Sequence, residues 1–146
     1  MNYYHYKLEK TKVSEAPTEK FNQTEKAAAM IRELCFNDGS IEIYESAWLI
    51  LLNRNLNLKG IVKIGQGGIT GCVVDVRLIC KYAIESLATG CIISHNHPSG
   101  NIFPSVSDKN LTNQVKNALN TLSIELHDHF IITANEYYSF AENGTL

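Results

Sequence analysis

Six consecutive apolar residues, Ala47 to Leu52, limit the fold of this chain more than any other feature of its sequence. A strand with one solvated face alternates apolar and polar residues, whereas a strand buried on both faces is apolar throughout. The run lies in a longer segment, Ile41–Asn53, that we expect to be extended. It therefore predicts a central strand that is covered on both faces.

Apolar residues recur three and four positions apart in three stretches, Ala27–Cys35, Val76–Leu87 and Leu111–Leu122. This spacing is typical of amphipathic helices. We expect Thr24 to cap the first helix and Gly90 to terminate the second, because the two residue types favour those positions.

Four further segments are predicted as strands, around Leu58–Ile64, Cys91–Ile93, Glu125–Thr133 and Tyr137–Phe140. The elements then follow the order helix, hairpin, helix, strand, helix, hairpin. This order predicts an α/β (α+β) fold in which a mixed β-sheet lies between helices.

The chemistry is concentrated after the short strand, in the run Ser94–Gly100 and in Asp108. Side chains two apart on an extended segment point to the same side, so His95 and His97 can converge while Asn96 points away. The loop that follows contains two prolines and a glycine, and it can fold back to deliver Asp108 as a third ligand. Two imidazoles and a carboxylate, with a fourth position left for water, are typical of catalytic Zn²⁺.

The motif is similar to the JAMM motif of the JAB/MPN metalloprotease-like domains: His95-x-His97, seven residues, and then Ser105-x-x-Asp108. The longer string through Gly100 resembles the RadC family within that group, as do the stretches Asp128–Ile132 and Tyr137–Gly144. The resemblance extends from about Glu45 to Gly144, and it implies a three-layer fold similar to that of the cytidine deaminases.

The resemblance also implies roles for residues outside the ligand set. It places a general base just before the apolar strand, where Glu45 stands, with Glu42 as the fallback. Ser105 would donate a hydrogen bond to the oxyanion of a tetrahedral intermediate. Ser105 and Asp108 also form a capping-box pattern, and a capped helix start can serve as a rigid mount for a ligand.

A second pair with the same spacing, His127 and His129, precedes the apolar residues Phe130–Ile132. No further ligand is spaced after this pair. We interpret the pair as part of a strand that supports the site. Direct contact of the pair with the metal is the alternative. We expect that His127 is not a ligand.

Composition sets the remaining limits. The chain of 146 residues is one domain's worth, and we expect a polar arm over 1–20 followed by a single domain over 21–146. Thirteen Lys and Arg against fifteen Asp and Glu, scattered along the sequence, do not favour a nucleic-acid partner. Four cysteines without a C-x-x-C pair predict reduced thiols. The absence of a membrane-length apolar stretch or a signal-peptide core predicts a cytoplasmic protein with no membrane partner.

Two functions follow from these observations. The first is a zinc-dependent hydrolase of amide or isopeptide bonds, acting on a peptide or protein substrate. The second is an accessory or protein-interaction module associated with DNA repair, in which the metal is mainly structural. RadC-type proteins are expected to carry a helix-hairpin-helix region before the domain, and the short polar N-terminus here is expected not to hold one.

Overall fold

The structure, a computed structural model, describes residues 1–5, 10–11, 15–68 and 71–146. Within them the chain forms eight elements, in this order: α1 (Thr24–Cys35), β1 (Ser46–Leu52), β2 (Leu58–Gln66), α2 (Val76–Glu85), β3 (Gly90–Asn96), α3 (Val106–Thr121), β4 (Glu125–Ile132) and β5 (Tyr137–Ser139). Residues 6–9 and 12–14 of the predicted N-terminal arm lie outside the described residues, and the boundary at residue 20 stays a prediction.

The five strands form one mixed sheet in the order β2-β1-β3-β4-β5. β1 pairs antiparallel with β2 and β3, β3 pairs parallel with β4, and β4 pairs antiparallel with β5. β1 therefore lies inside the sheet, and the predicted central strand and mixed α+β fold are confirmed. The strand is shorter than predicted, since it begins at Ser46.

Two apolar cores cover the two faces of the sheet. One core packs α1 against alternate strand residues such as Ile50, Ile92 and Phe130. The other packs α2 and α3 against the opposite set, which includes Leu49 and Ile93. Because successive strand residues point to opposite faces, β1 and β3 have to be apolar on both, as the sequence indicated.

Two predicted helix boundaries are wrong. The N-cap of α1 is Gln23, which is extended and makes no side-chain cap bond, so Thr24 is the first helical residue. α2 ends at Glu85, and Leu87 adopts the left-handed conformation (φ 54°) before the chain enters β3 at Gly90. Gly90 is needed for another reason, because a Cβ there would lie 2.2 Å from His127 Nε2.

All four cysteines are free. Burial raises the pKa of Cys35 and of Cys91 to about 12, so these thiols stay protonated in the core. No helix among the described residues has the length and apolar character needed to cross a lipid bilayer.

Candidate metal centre

The carboxyl end of β3 presents the two histidines. His95 lies in the strand and is buried, whereas His97 follows the last strand residue and is only partly covered. Both rings lie on the same side, with their centroids 4.8 Å apart. Alternation along the strand thus brings the imidazoles together.

A turn after His97 starts the loop that returns Asp108 to the strand end. The Gly100 N–H donates to the His97 carbonyl at 3.0 Å, and Gly100 has a φ of 82°, which a residue with a Cβ rarely adopts. At the end of the loop, Ser105 caps α3 in a complete capping box. The Asp108 N–H donates to Ser105 Oγ at 3.1 Å, and Ser105 N–H donates to Asp108 Oδ2 at 2.7 Å. The cap therefore orients the carboxylate.

The three predicted ligands converge. His95 Nε2 lies 3.2 Å from Asp108 Oδ1, His97 Nε2 lies 3.5 Å from Asp108 Oδ2, and the two Nε2 atoms are 3.0 Å apart. Two ligand atoms bound to one tetrahedral zinc ion at about 2.0–2.1 Å lie about 3.3 Å from each other. The donor set therefore fits a single ion, and no other group of three or more such residues occurs in the part of the chain that the structure describes.

Contacts among the predicted ligands shift the pKa values of Asp108 and His97. Burial alone would raise the pKa of Asp108, but its contacts with His95 and His97 hold that pKa far below its usual value. Burial would lower the pKa of His97, but Asp108 and the Asn101 carbonyl raise it on balance. The carboxylate is therefore ionised at any physiological pH and is available as an anionic ligand.

The Nδ1 atoms of both ligand histidines contact protein groups. His97 Nδ1 lies 2.6 Å from the Asn101 carbonyl oxygen, which can only accept, so Nδ1 carries the proton. His95 Nδ1 lies 2.8 Å from His129 Nε2. In both residues Nε2 is the atom that faces Asp108, and this orientation is typical of metal-binding histidines.

His129 is fully buried under the ligands. Its Nδ1 lies 2.6 Å from the hydroxyl of Thr112, which in turn donates to the Asp108 carbonyl at 2.7 Å. The ring stacks on Phe140, with centroids 4.5 Å apart and an interplanar angle of 6°. Burial lowers the pKa of His129 well below its ordinary value. The geometry favours a supporting role for His129 over direct metal contact, because His129 contacts the predicted ligand His95.

Asn96, which points away from the histidines, fixes the segment that carries Glu45. Its side chain is 0 % exposed and donates to the carbonyls of Ile41 and Tyr44 at 2.8 and 2.9 Å. It also accepts from the Ser46 N–H at 2.8 Å. Three bonds thus hold the residues on both sides of Glu45 against the end of β3.

Glu45 shares a pocket with His95, Asp108 and Ser107, and its charge contributes to the raised pKa of His97. Glu42 lines a separate cavity on the other side of His97. Both acids therefore lie near the ligands, but only Glu45 lines the pocket that contains two of them. Ser105 is exposed, and its hydroxyl accepts the cap bond while its own proton remains available to donate.

His127 lies at the opposite end of the sheet from the ligands. It packs against Gly90 at the start of β3, and its Nδ1 is 3.6 Å from Glu125 Oε1. Its partners are thus unrelated to the metal centre.

Sequence reasoning missed two contributors to the site, Thr112 and Asn96. Thr112 follows Asp108 by four residues, so the two lie on the same helix face, and this spacing was a usable indication. The role of Asn96 depends on where residues 41–46 pack, which no local pattern shows.

The comparisons with known proteins agree with this geometry. A family model described as "RadC-like JAB domain" matches residues 21–145. A UPF0758 protein of Flavobacterium johnsoniae is 43% identical over 101 residues, which cover 69% of this chain and 44% of the relative. A UPF0758 protein of Porphyromonas gingivalis is 40% identical over 103 residues, covering 70% of this chain and 45% of the relative. A UPF0758 protein of Shewanella baltica is 37% identical over 115 residues, covering 79% and 49%. The chain thus spans about half the length of these curated relatives.

Proposed function

The chain belongs to the RadC-like JAB domain family, and on this premise we propose that it is a zinc-dependent hydrolase of peptide or isopeptide bonds. The observation that carries the proposal is the convergence of His95, His97 and Asp108 beside a pocket that also contains Glu45. Two imidazoles and one carboxylate with a neighbouring acid are a donor set typical of catalytic zinc.

Each residue has a role in such a reaction. A bound zinc ion would supply Lewis acidity, which lowers the pKa of water and polarises the scissile carbonyl. Glu45 would accept a proton from the attacking water and return it to the leaving nitrogen as the C–N bond breaks. Ser105 would donate a hydrogen bond to the carbonyl oxygen as negative charge develops on it.

The loop beside the site supports a peptide or protein substrate. Phe103 and Val106, between His97 and the body of α3, are 69 % and 75 % exposed. Val106 directly precedes Ser107 and Asp108, which line the pocket, and exposed apolar side chains beside a site favour contact with another apolar chain. The free thiols agree with the cytoplasm as the place of this reaction.

The first experiment determines the metal and the activity together. The purified protein should contain about one zinc per chain, His97→Ala should lose it, and the zinc-loaded protein should cleave members of a fluorogenic peptide library. Retention of stoichiometric zinc by His97→Ala would contradict the ligand assignment. Zinc binding without cleavage of any peptide, together with DNA binding that weakens steeply with salt, would favour the accessory-module alternative.

A further inference from the structure

We propose that Thr112 and His129 are positioning residues that hold His95 with its proton on Nδ1 and its Nε2 lone pair directed to the metal position. This inference rests on the proposed function in that it concerns the same site. Three hydrogen bonds behind the ligands link Asp108, Thr112, His129 and His95, and the donor of each can be identified.

The direction is set by the hydroxyl of Thr112. A hydroxyl has one proton, and that of Thr112 is donated to the Asp108 carbonyl, an obligate acceptor, at 2.7 Å. Toward His129 Nδ1, at 2.6 Å, the Thr112 oxygen can therefore only accept. It follows that His129 carries a proton on Nδ1.

The protonation of His129 in turn determines the donor in its contact with His95. The ring is 1 % exposed, and its two nitrogens contact a hydroxyl and an imidazole, neither of which is an acid. An imidazolium whose nitrogens contact no carboxylate is costly to bury, and here that cost outweighs the attraction of the Asp108 charge, so the ring is neutral and has one N–H. With that proton on Nδ1, Nε2 of His129 is an acceptor. His95 Nδ1, 2.8 Å away, must then be the donor.

The tautomer of His95 determines which of its nitrogens can bind the ion. A neutral His95 with its proton on Nδ1 has its lone pair on Nε2, the atom that lies 3.2 Å from Asp108 Oδ1. The opposite tautomer would place a proton where the ion must bind. Which ring nitrogen binds a metal is generally set by the hydrogen bond of the other nitrogen.

The chain of bonds begins and ends on the same residue. Asp108 supplies the carbonyl that orients Thr112 and the carboxylate that faces His95, so a shift of α3 would move both ends together. Phe140 keeps the ring of His129 in plane by stacking on it. The Asp128 carboxylate accepts from the backbone N–H of His129 at 2.7 Å and from the backbone N–H of Ala141 at 3.0 Å, which ties the Phe140 segment to the strand.

A matched pair of threonines on α3 tests the proposal. Thr121, like Thr112, donates to the carbonyl four residues earlier, at 3.1 Å, but it is exposed and distant from the ligands. We expect Thr112→Val to weaken zinc binding about 10–100-fold, the usual cost of losing an outer hydrogen bond to a metal ligand. Thr121→Val should leave zinc affinity unchanged, and Thr112→Ser, which keeps the hydroxyl, should restore it. Competition with a chelating dye measures all four proteins.

The tautomer of His95 gives a second readout that needs neither metal nor activity. In the metal-free protein at mildly alkaline pH, ¹⁵N NMR of the imidazoles should show the His95 proton on Nδ1. Thr112→Val should shift this population toward Nε2–H, whereas Thr121→Val should not. A merely structural role for Thr112 would lower stability without moving the tautomer.

The outcomes separate this inference from the proposed function. His95 protonated on Nε2 in the metal-free wild-type protein would overturn the inference whether or not any variant folds. So would a folded Thr112→Val that binds zinc as tightly as the wild type. A wild-type protein that shows the expected tautomer but neither binds zinc nor cleaves peptides would instead contradict the proposed function alone.

Discussion

The two His-x-His pairs of this chain have the same spacing and lie on neighbouring parallel strands or directly after them, yet the structure uses them differently. His95 and His97 both face Asp108 at the carboxyl end of β3. His129 lies behind His95, and His127 packs against Gly90 at the other end of the strand. Spacing alone therefore does not make a ligand pair. The first pair differs because its second histidine lies beyond the strand, where a returning loop can meet it.

The residues between the histidines extend this comparison. Asn96 ties down the segment around Glu45, and Asp128 ties down the segment that carries Phe140. Each pair thus has a buried polar residue that holds a neighbouring part of the chain. One holds the proposed base beside the ligands, whereas the other holds the ring that stacks on His129. Under the proposed function, His95 and His97 bind the metal directly, and only His129 of the second pair acts on it, through its contact with His95.

The largest effect should come from the acid beside the first pair. Glu45→Gln removes the proton acceptor but keeps the shape of the side chain, so we expect zinc content to be retained while the hydrolytic rate falls about 10²–10⁴-fold. Glu42→Gln is the matched variant on the other side of His97, and its rate should change much less. Steady-state cleavage of one peptide substrate measures both. A large loss in Glu42→Gln with none in Glu45→Gln would reassign the base.

The second effect concerns the residue between the first pair. Asn96→Ala leaves the Ser46 N–H and the carbonyls of Ile41 and Tyr44 without their partner. Unsatisfied buried groups cost about 1–3 kcal/mol each, and partial entry of water would reduce the sum, so we expect the free energy of unfolding to fall by about 2–4 kcal/mol. Urea denaturation measures it.

The control for this variant is Asn113→Ala, an exposed asparagine on α3. It should change stability little, because it leaves no buried group unpaired. Equal stabilities for the two variants would mean that Asn96 does not clamp the segment around Glu45.

The sequence predicted the parts of the molecule that local patterns specify. The apolar run Ala47–Leu52 indicated an inner strand, and Ser105 with Asp108 indicated the capping box that the structure contains. The direction of Asn96 followed from strand alternation. These features depend on a period or on contacts within one turn of helix, which a single sequence displays.

The remaining features depend on which elements pack together. The contact of Thr112 with His129 requires α3 to lie over β4, and the assignment of Gly90 requires knowing that His127 faces it across the strands. The sequence therefore indicated a helix stop at Gly90. In the structure Gly90 instead begins β3, and its missing side chain leaves room for the imidazole of His127. Glycine has several uses, and only the neighbours of a position distinguish them.

The third effect should come from a side chain added at Gly90, where the structure leaves space for His127. Gly90→Ala would bring a Cβ to 2.2 Å from His127 Nε2, so the ring must move. The ring is the tip of a partly exposed side chain and can swing aside, so we expect the free energy of unfolding to fall by about 1 kcal/mol, the low end of the cost of overpacking. A Cβ at Gly68 would meet nothing within 4 Å, so Gly68→Ala is the control and should have little effect. Adding His127→Ala to Gly90→Ala should recover most of the loss, and no recovery would exclude the ring as the cause.

The smallest effect should come from His127 itself. Its ring lies at the far end of β3 from the ligands, and the Glu125 side chain that it contacts is 72 % exposed, so that contact contributes at most about 1 kcal/mol. We therefore expect His127→Ala to change the zinc dissociation constant by less than about twofold, or ~0.4 kcal/mol. The same dye competition that is used for Thr112→Val measures it. If His127→Ala weakened zinc binding as much as Thr112→Val does, both members of the second pair would influence the metal, and the contrast between a supporting and an unrelated histidine would be wrong.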